Sequence, residues 1–270
     1  MKYSVGFIGV GNMAQALLAS LNGKIDKNAI FLYDIDTLKR DKMRNEGFTF
    51  VKSEADVVRF ADIVFLTVKP NNLKKVLERI APAVTMKNVL VSVAAGISIN
   101  YIKSIIGKEC KVVRAMPNTP ISLGKGATAI SYSMPITYNE FNTIREIFSS
   151  AGLVEILPEE KMNEVVSVNG SGPAYIYMLY KAMVDGAIAQ GIDKNAAERL
   201  VLDTIKGSVE MIESSDDDIE TLIKKVCSPR GTTERAVEFL EKKNFAQAVG
   251  DAMLACTKRT AELEKEADAE

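Results

Sequence analysis

The sequence predicts an α/β domain built on a parallel sheet over residues 1–157, followed by an all-α domain over residues 158–270. Up to about residue 157, short β-branched runs alternate with helix-like segments, the pattern of successive βαβ units. Beyond residue 158 the strand signals stop and only helical periodicity continues. A glycine-rich turn, Gly9-Val10-Gly11, joins the first apolar run to the first helical one.

Taken in order, strands are expected over 4–8, 30–33, 63–68, 89–93 and 111–114. Their nearly continuous apolar character suits strands buried on both faces. Ser53 with Asp56 three residues on resembles a helix start, and Gly47 and Gly152 stand where C-terminal caps fall. In the second half, helices are expected over 159–168, 173–190, 194–212 and 245–263. The run Ser214-Ser215-Asp216-Asp217-Asp218 fits an acidic first turn of a further helix better than a linker. Ala182, Gly186 and Ala189 would share a small-residue face, suited to packing within the chain or between subunits.

Composition narrows the function. The 270 residues are 47% hydrophobic, enough for a substantial core. With 34 basic and 35 acidic residues interspersed, the chain has no footprint for nucleic acid or an anionic membrane, and small-molecule chemistry is expected. No uncharged apolar run reaches the roughly 18 residues that would suggest a membrane span. The N-terminal apolar run is short and breaks into glycines, so it fits a strand better than a leader. Three widely spaced cysteines suit a reduced, cytoplasmic compartment and no metal site. The chain contains no histidine, which excludes histidine acid–base chemistry and histidine-ligated metals.

Gly9, Gly11 and Ala14 form the G-x-G-x-x-G/A pattern between a strand and a helix, where it binds a dinucleotide pyrophosphate. The first glycine permits the turn, the second lets backbone approach the phosphates, and free N–H groups at the helix start face the anion. A turn that only packs would explain the glycines alone. Asp34 adds weight: twenty residues beyond Ala14, it stands where a carboxylate accepts bonds from the adenosine ribose. It would repel a 2′-phosphate and so favours NADH. Lys39 and Arg40 could bind that phosphate if turned inward, or form a solvated helix face, so the preference within NAD(P)H stays open.

Further motifs fall in sequence: FIGVGNMAQAL at 7–17, VKP at 68–70, SVAAG at 92–96, RAMPNTP at 114–120, NGSGPAY at 169–175 and CSPRGTT at 227–233. This order resembles that of the pyrroline-5-carboxylate reductases over nearly the whole chain. The resemblance implies an NAD(P)H-dependent reductase that makes L-proline. It also implies a Rossmann-like N-terminal domain and an all-α C-terminal dimerisation domain that binds substrate and forms a homodimer or higher homo-oligomer. Cofactor contacts carry onto Ile8, Gly9, Val10, Gly11, Asn12 and Met13, onto Val68, Lys69 and Pro70, and onto Ala94 and Ala95. Substrate contacts carry onto Ser228, Gly231, Thr232 and Thr233.

From the residues alone, Ser228, Thr232 and Thr233 surround a helix start whose N–H groups suit a carboxylate, or simply cap that helix. Thr233 is the candidate to hold the ring nitrogen of the imine. Arg230 is either a solvated loop charge or an aid to the carboxylate. Three places depart from the family pattern: Arg230 replaces a glycine, Asn169 begins the usual SGSGPAY, and residues 219–224 replace P-G-x-L-K-D. Lys181 is the one candidate for the catalytic lysine of a β-hydroxyacid dehydrogenase, but it lacks that family's surrounding glycine and asparagine pattern.

Overall fold

The structure, a computed structural model, describes residues 3–21 and 23–269. Among these, eight strands form one sheet: β1 (Val5–Ile8), β2 (Ile30–Tyr33), β3 (Thr49–Phe50), β4 (Ile63–Leu66), β5 (Val89–Ser92), β6 (Lys111–Met116), β7 (Gly126–Tyr132) and β8 (Gly152–Ile156). Their spatial order is β3-β2-β1-β4-β5-β6-β7-β8, and every pair is parallel except β6 with β7. The first six strands have the Rossmann order, with the reversal of strand order between β1 and β4. Helices α1 (Asn12–Ser20), α2 (Thr37–Asn45), α3 (Glu54–Phe60), α4 (Pro70–Ile80), α5 (Ile99–Ile106) and α6 (Tyr138–Ser149) connect them.

Alternation along the strands builds a core on each face. Phe7 and Phe65 stack at 4.8 Å on one face, with Phe148 edge-on to Phe65 at 5.7 Å. Ile8, Val64 and Leu66 point to the other and pack with Leu73 and Leu77 of α4. Burial on both faces accounts for the apolar runs that located these strands.

Of the five expected strands, that over 30–33 is present with the same ends and the other four have one end shifted by one or two residues; β3, β7 and β8 are additions. Strand β7 is rich in glycine, alanine, serine and threonine, so its pairing with β6 and β8 defines it more than its own propensity. The Ser53 hydroxyl caps α3 by accepting from the Asp56 N–H, and Gly47, at φ 87°, follows the last turn of α2. Gly152 is not a cap: Ser150 caps the end of α6 and Gly152 opens β8.

Beyond β8 the described chain is helical, with α7 (Gly172–Ala189), α8 (Lys194–Ser214), α9 (Ile219–Val226), α10 (Thr232–Lys242) and α11 (Phe245–Ala269). Asp218 caps α9, as the acidic-turn expectation requires. The helix expected over 159–168 is instead a 3-10 turn, Glu159–Lys161, and a π turn, Val166–Gly170. Packing divides the chain into Met1–Ser171 with Ala255–Glu270, and Gly172–Leu254, rather than at 157/158. Two contacts account for the difference. The Asn169 amide in the π turn donates to the carbonyls of Met116 (2.6 Å) and Ala127 (2.9 Å), tying that segment to β6 and β7. Arg114, 3% exposed, pairs with Glu264 of α11 at 3.0 Å and donates to Asn163 at 2.6 Å, fastening the end of the chain to the sheet.

A second buried pair joins Lys111 of β6 to Glu140 of α6 at 2.6 Å, and Thr137 forms a capping box with the same carboxylate. Burial alone would push the Glu140 carboxyl up, but the bonds from Lys111 and Thr137 outweigh it and hold the group below the usual carboxylate range. Its contribution to stability is therefore present above the unfolded value of about 4.3 and is lost as pH falls through the lower folded value. Glu140→Gln should lower the unfolding free energy by about 2 kcal/mol at pH 7, since it leaves Lys111 buried without its anion. Urea titrations over a pH series should show the gap to the native protein closing below about pH 4.

Candidate active site

The glycine turn is shaped by contacts from two neighbouring strands. Gly9 follows β1 at φ 91°, and a Cβ there would lie 2.9 Å from Val68 Cγ1 and 3.0 Å from the Thr67 carbonyl, so only glycine fits. Its N–H donates to the Tyr33 carbonyl at 2.8 Å, and the Thr67 hydroxyl donates to its carbonyl at 2.6 Å. Gly11 begins α1 with no side-chain cap, and a Cβ there would meet nothing within 4 Å. The first-turn N–H groups of α1 thus border open space, as an anion site requires. Ala14, fully buried, packs that helix onto the core.

The next crossover repeats the device. Val68 leads from β4 to Lys69, which begins α4 without a side-chain cap, and Pro70 holds the first helical position. A cleft of about 570 Å³ lies here, at the point where strand order reverses. It gathers Ile8, Gly9, Gly11, Asp34, Val68 and Lys69 from the expected cofactor residues. Val10, Asn12, Met13 and Pro70 lie in the same two turns. Ala94 and Ala95 follow β5 and do not line this cleft; Ala94 is buried and Ala95 half-buried. The sequence did not single out Thr67 or Tyr33, which help shape it. Burial, then Glu54 and Asp34, raise the Tyr33 phenol above its ordinary value, while Arg79 opposes them.

Asp34 departs from its expected geometry. Its Oδ2 accepts from the Val10 N–H at 2.6 Å and its Oδ1 from the Asp36 N–H at 2.9 Å, and the side chain is only 8% exposed. The carboxylate assigned to the ribose is bound to the protein's own backbone. Lys39 turns toward it, with Nζ at 3.4 Å, whereas Arg40 pairs with Asp41 on the surface.

The segment Ser228 to Thr233 belongs to the helical unit. The Gly231 N–H donates to the Ser228 carbonyl at 2.8 Å, and a Cβ on Gly231 would fall 2.4 Å from Ser228 Oγ. Gly231 begins α10 without a side-chain cap, so neither Ser228 nor either threonine closes this helix start. Thr232 and Thr233 occupy its first two positions, exposed and half-buried respectively, leaving hydroxyls and N–H groups together. Arg230, where the family pattern has glycine, takes φ 60°, and its N–H donates to Glu234 Oε2 at 2.7 Å. The loop keeps the glycine-like conformation at a steric cost. Lys181 is an exposed side chain paired with Asp185 one helical turn on. Among the described residues, no acidic or thiol cluster suits a metal.

The pyrroline-5-carboxylate reductase of Escherichia coli (strain K12) is 34% identical over 268 residues, covering 98% of this chain and all of that protein. The chain belongs to the pyrroline-5-carboxylate reductase family. The family model described as pyrroline-5-carboxylate reductase dimerisation matches residues 159–263, and one described as NADP oxidoreductase, coenzyme F420-dependent, matches 4–96. A crystal structure of Plasmodium falciparum pyrroline carboxylate reductase with NADP bound superposes with a TM-score of 0.89 at 29% identity, covering 97% of this chain and 98% of that one. A family member from Coxiella burnetii, 31% identical, also gives 0.89, covering 97% of this chain and 99% of that one.

The left-handed Arg230 gives a direct test of the loop. Arg230→Gly should raise the unfolding free energy by about 0.5–1 kcal/mol, as relief of strain exceeds the added freedom of the unfolded chain. Arg230→Val should lower it, because a branched Cβ resists positive φ. Chemical denaturation of the two variants reads both signs.

Proposed function

We infer that this protein is an NAD(P)H-dependent oxidoreductase acting on a C=N bond, which reduces pyrroline-5-carboxylate to L-proline, the last step of proline biosynthesis. The observation that carries this is the open start of α10, where Ser228, Thr232 and Thr233 bring hydroxyls to unpaired N–H groups. The glycine turn, with a backbone that no Cβ could approach at Gly9, fits a nicotinamide dinucleotide.

When bound, NAD(P)H supplies the hydride, and the chain's own residues bind and orient. The N–H groups at the start of α10 and the Ser228 hydroxyl suit the substrate carboxylate. Protonation of the ring nitrogen makes the adjacent carbon electrophilic, and solvent supplies that proton, so the absence of histidine is no obstacle. Thr233 Oγ1 accepts from the resulting N–H and fixes the ring. The carbon gains the hydride, the nitrogen keeps the proton, and the C=N bond becomes the C–N bond of proline. Arg230, beside this loop, adds positive potential for the anionic substrate.

The helical unit also provides the surface for a homodimer. Helix α7 is apolar on most sides, yet within it only Val184 is buried, while Ile176, Tyr177 and Met178 are at least half exposed. A helix apolar all round requires a partner, and the dimerisation model that matches this region supports a second copy in that role.

Incubating the purified protein with pyrroline-5-carboxylate and either cofactor should give cofactor oxidation matched by proline; no turnover in a folded sample rejects the assignment. Thr233→Ala should lower kcat/KM by about 1–3 kcal/mol and leave cofactor affinity nearly unchanged, with Thr233→Ser recovering much of the loss. A fully active alanine variant would remove Thr233 from the nitrogen. Gly186, around which a Cβ would meet nothing within 4 Å, lies on the small-residue face of α7. Gly186→Leu should weaken the dimer in sedimentation at low concentration, and an unaltered dimer would place the contact elsewhere.

A further inference from the structure

We propose that Gln15 is the positioning residue of the glycine turn: its amide, oriented by Lys42 of α2, holds the Val10 carbonyl so that the Gly11 N–H is aimed at the cofactor's pyrophosphate. This rests on the reading of that turn as a nicotinamide dinucleotide site. Gln15 is the fourth residue of α1, and its side chain reaches back along the helix, with Nε2 donating to the Val10 carbonyl at 3.1 Å. Val10 is fully buried, and its N–H donates to Asp34 at 2.6 Å. Both polar groups of the residue between the two glycines are therefore held by side chains.

The consequence falls on the next N–H. The peptide from Val10 to Gly11 is trans and planar, so its N–H points opposite to its carbonyl. Fixing the carbonyl fixes the direction of the Gly11 N–H. Among the described residues nothing accepts from that N–H, and Gly11 lines the cleft. An unspent donor held in one direction suits a phosphate oxygen and needs no rearrangement when the anion arrives.

Lys42 decides which way the amide faces. Its Nζ donates to Gln15 Oε1 at 3.1 Å. An ammonium only donates, so it selects the amide oxygen and leaves Nε2 for the Val10 carbonyl; with the amide reversed, both contacts would be repulsive. Neither residue lines the cofactor cleft. Gln15 and Lys42 instead border a hollow of about 370 Å³ with Leu18, Met43 and Phe48, and it shares no lining residue with the cleft. They act on the cofactor through the backbone. The chain from Lys42 through Gln15 to Val10 ties α2 to the turn by a route separate from the one through Asp34.

Titration of the full-length protein with NADPH and with NADH, followed by energy transfer from protein tyrosine to the nicotinamide, tests this without substrate. Gln15→Met, which keeps the length and loses the amide, should weaken both cofactors by the same factor, about three- to tenfold, the worth of one hydrogen bond. Gln15→Glu keeps an acceptor for Lys42 but cannot donate to Val10, and should weaken both at least as much. At physiological ionic strength, where exposed charges are screened, Lys42→Glu should match the loss in Gln15→Met by drawing Nε2 away from Val10. It should add nothing in the Gln15→Met background, whereas Lys42→Arg and Lys42→Met should stay within about twofold of the native protein. In turnover of pyrroline-5-carboxylate by Gln15→Met, the cofactor KM should rise by the same factor, with kcat within about twofold. Unchanged affinity in Gln15→Met, or a loss in Lys42→Glu that persists undiminished in the Gln15→Met background, overturns the proposal. A native protein that binds neither cofactor rejects the dinucleotide reading of the turn and the proposal with it. Should Gln15→Met fail to fold, the Lys42 series decides: loss in Lys42→Glu alone supports the positioning role, and any other pattern rejects it.

Discussion

The site depends on how closely the backbone after β1 can approach β4. With Gly9 held at positive φ against the Thr67 carbonyl, the chain leaves the sheet in a turn so tight that α1 begins at Asn12, four residues beyond Ile8, the last residue of β1. Three bonds fix that turn from different elements: Gly9 to the Tyr33 carbonyl, the Thr67 hydroxyl to Gly9, and Val10 to Asp34. The cleft, the open helix start and the orientation of the crossover at Val68 to Pro70 all follow from this approach. Two residues before Gly9 and Thr67 along the same two strands, Phe7 and Phe65 stack and hold β1 and β4 together.

Charge is handled by placement rather than by titration. Helix starts are left without side-chain caps at Gly11, Lys69 and Gly231, in the segments proposed to bind cofactor and substrate. Elsewhere, at Ser53, Thr137, Asp193 and Asp218, helix starts are capped in the ordinary way. Buried cations have partners of their own, Arg114 with Glu264 and Lys111 with Glu140, so neither is free for chemistry. Asn169 Oδ1 is the exception among buried side-chain polar atoms of the described residues, with no hydrogen-bond partner.

Much of this was legible in the sequence where one physical requirement dominated. The glycine turn had a single explanation for its spacing, and two-sided burial made β1, β4 and β5 unmistakable runs of apolar residues. Strands β7 and β8 were hidden because their residues are small or partly exposed, and their register comes from neighbours distant in sequence. The return of α11 to the sheet was equally hidden, since Arg114 and Glu264 are 150 residues apart and carry no local signal. Asp34 shows a subtler limit. Its position was predicted correctly, but the direction of its carboxylate depends on the Val10 N–H, which the side-chain sequence does not display.

The uncapped start of α10 has a practical side. A helix start that offers N–H groups and threonine hydroxyls suits anions in general, through features that sulfate, phosphate and simple carboxylates share with an amino acid. If this is the substrate loop, as proposed, the composition of the buffer becomes a ligand choice, with sulfate and phosphate acting as rivals for it.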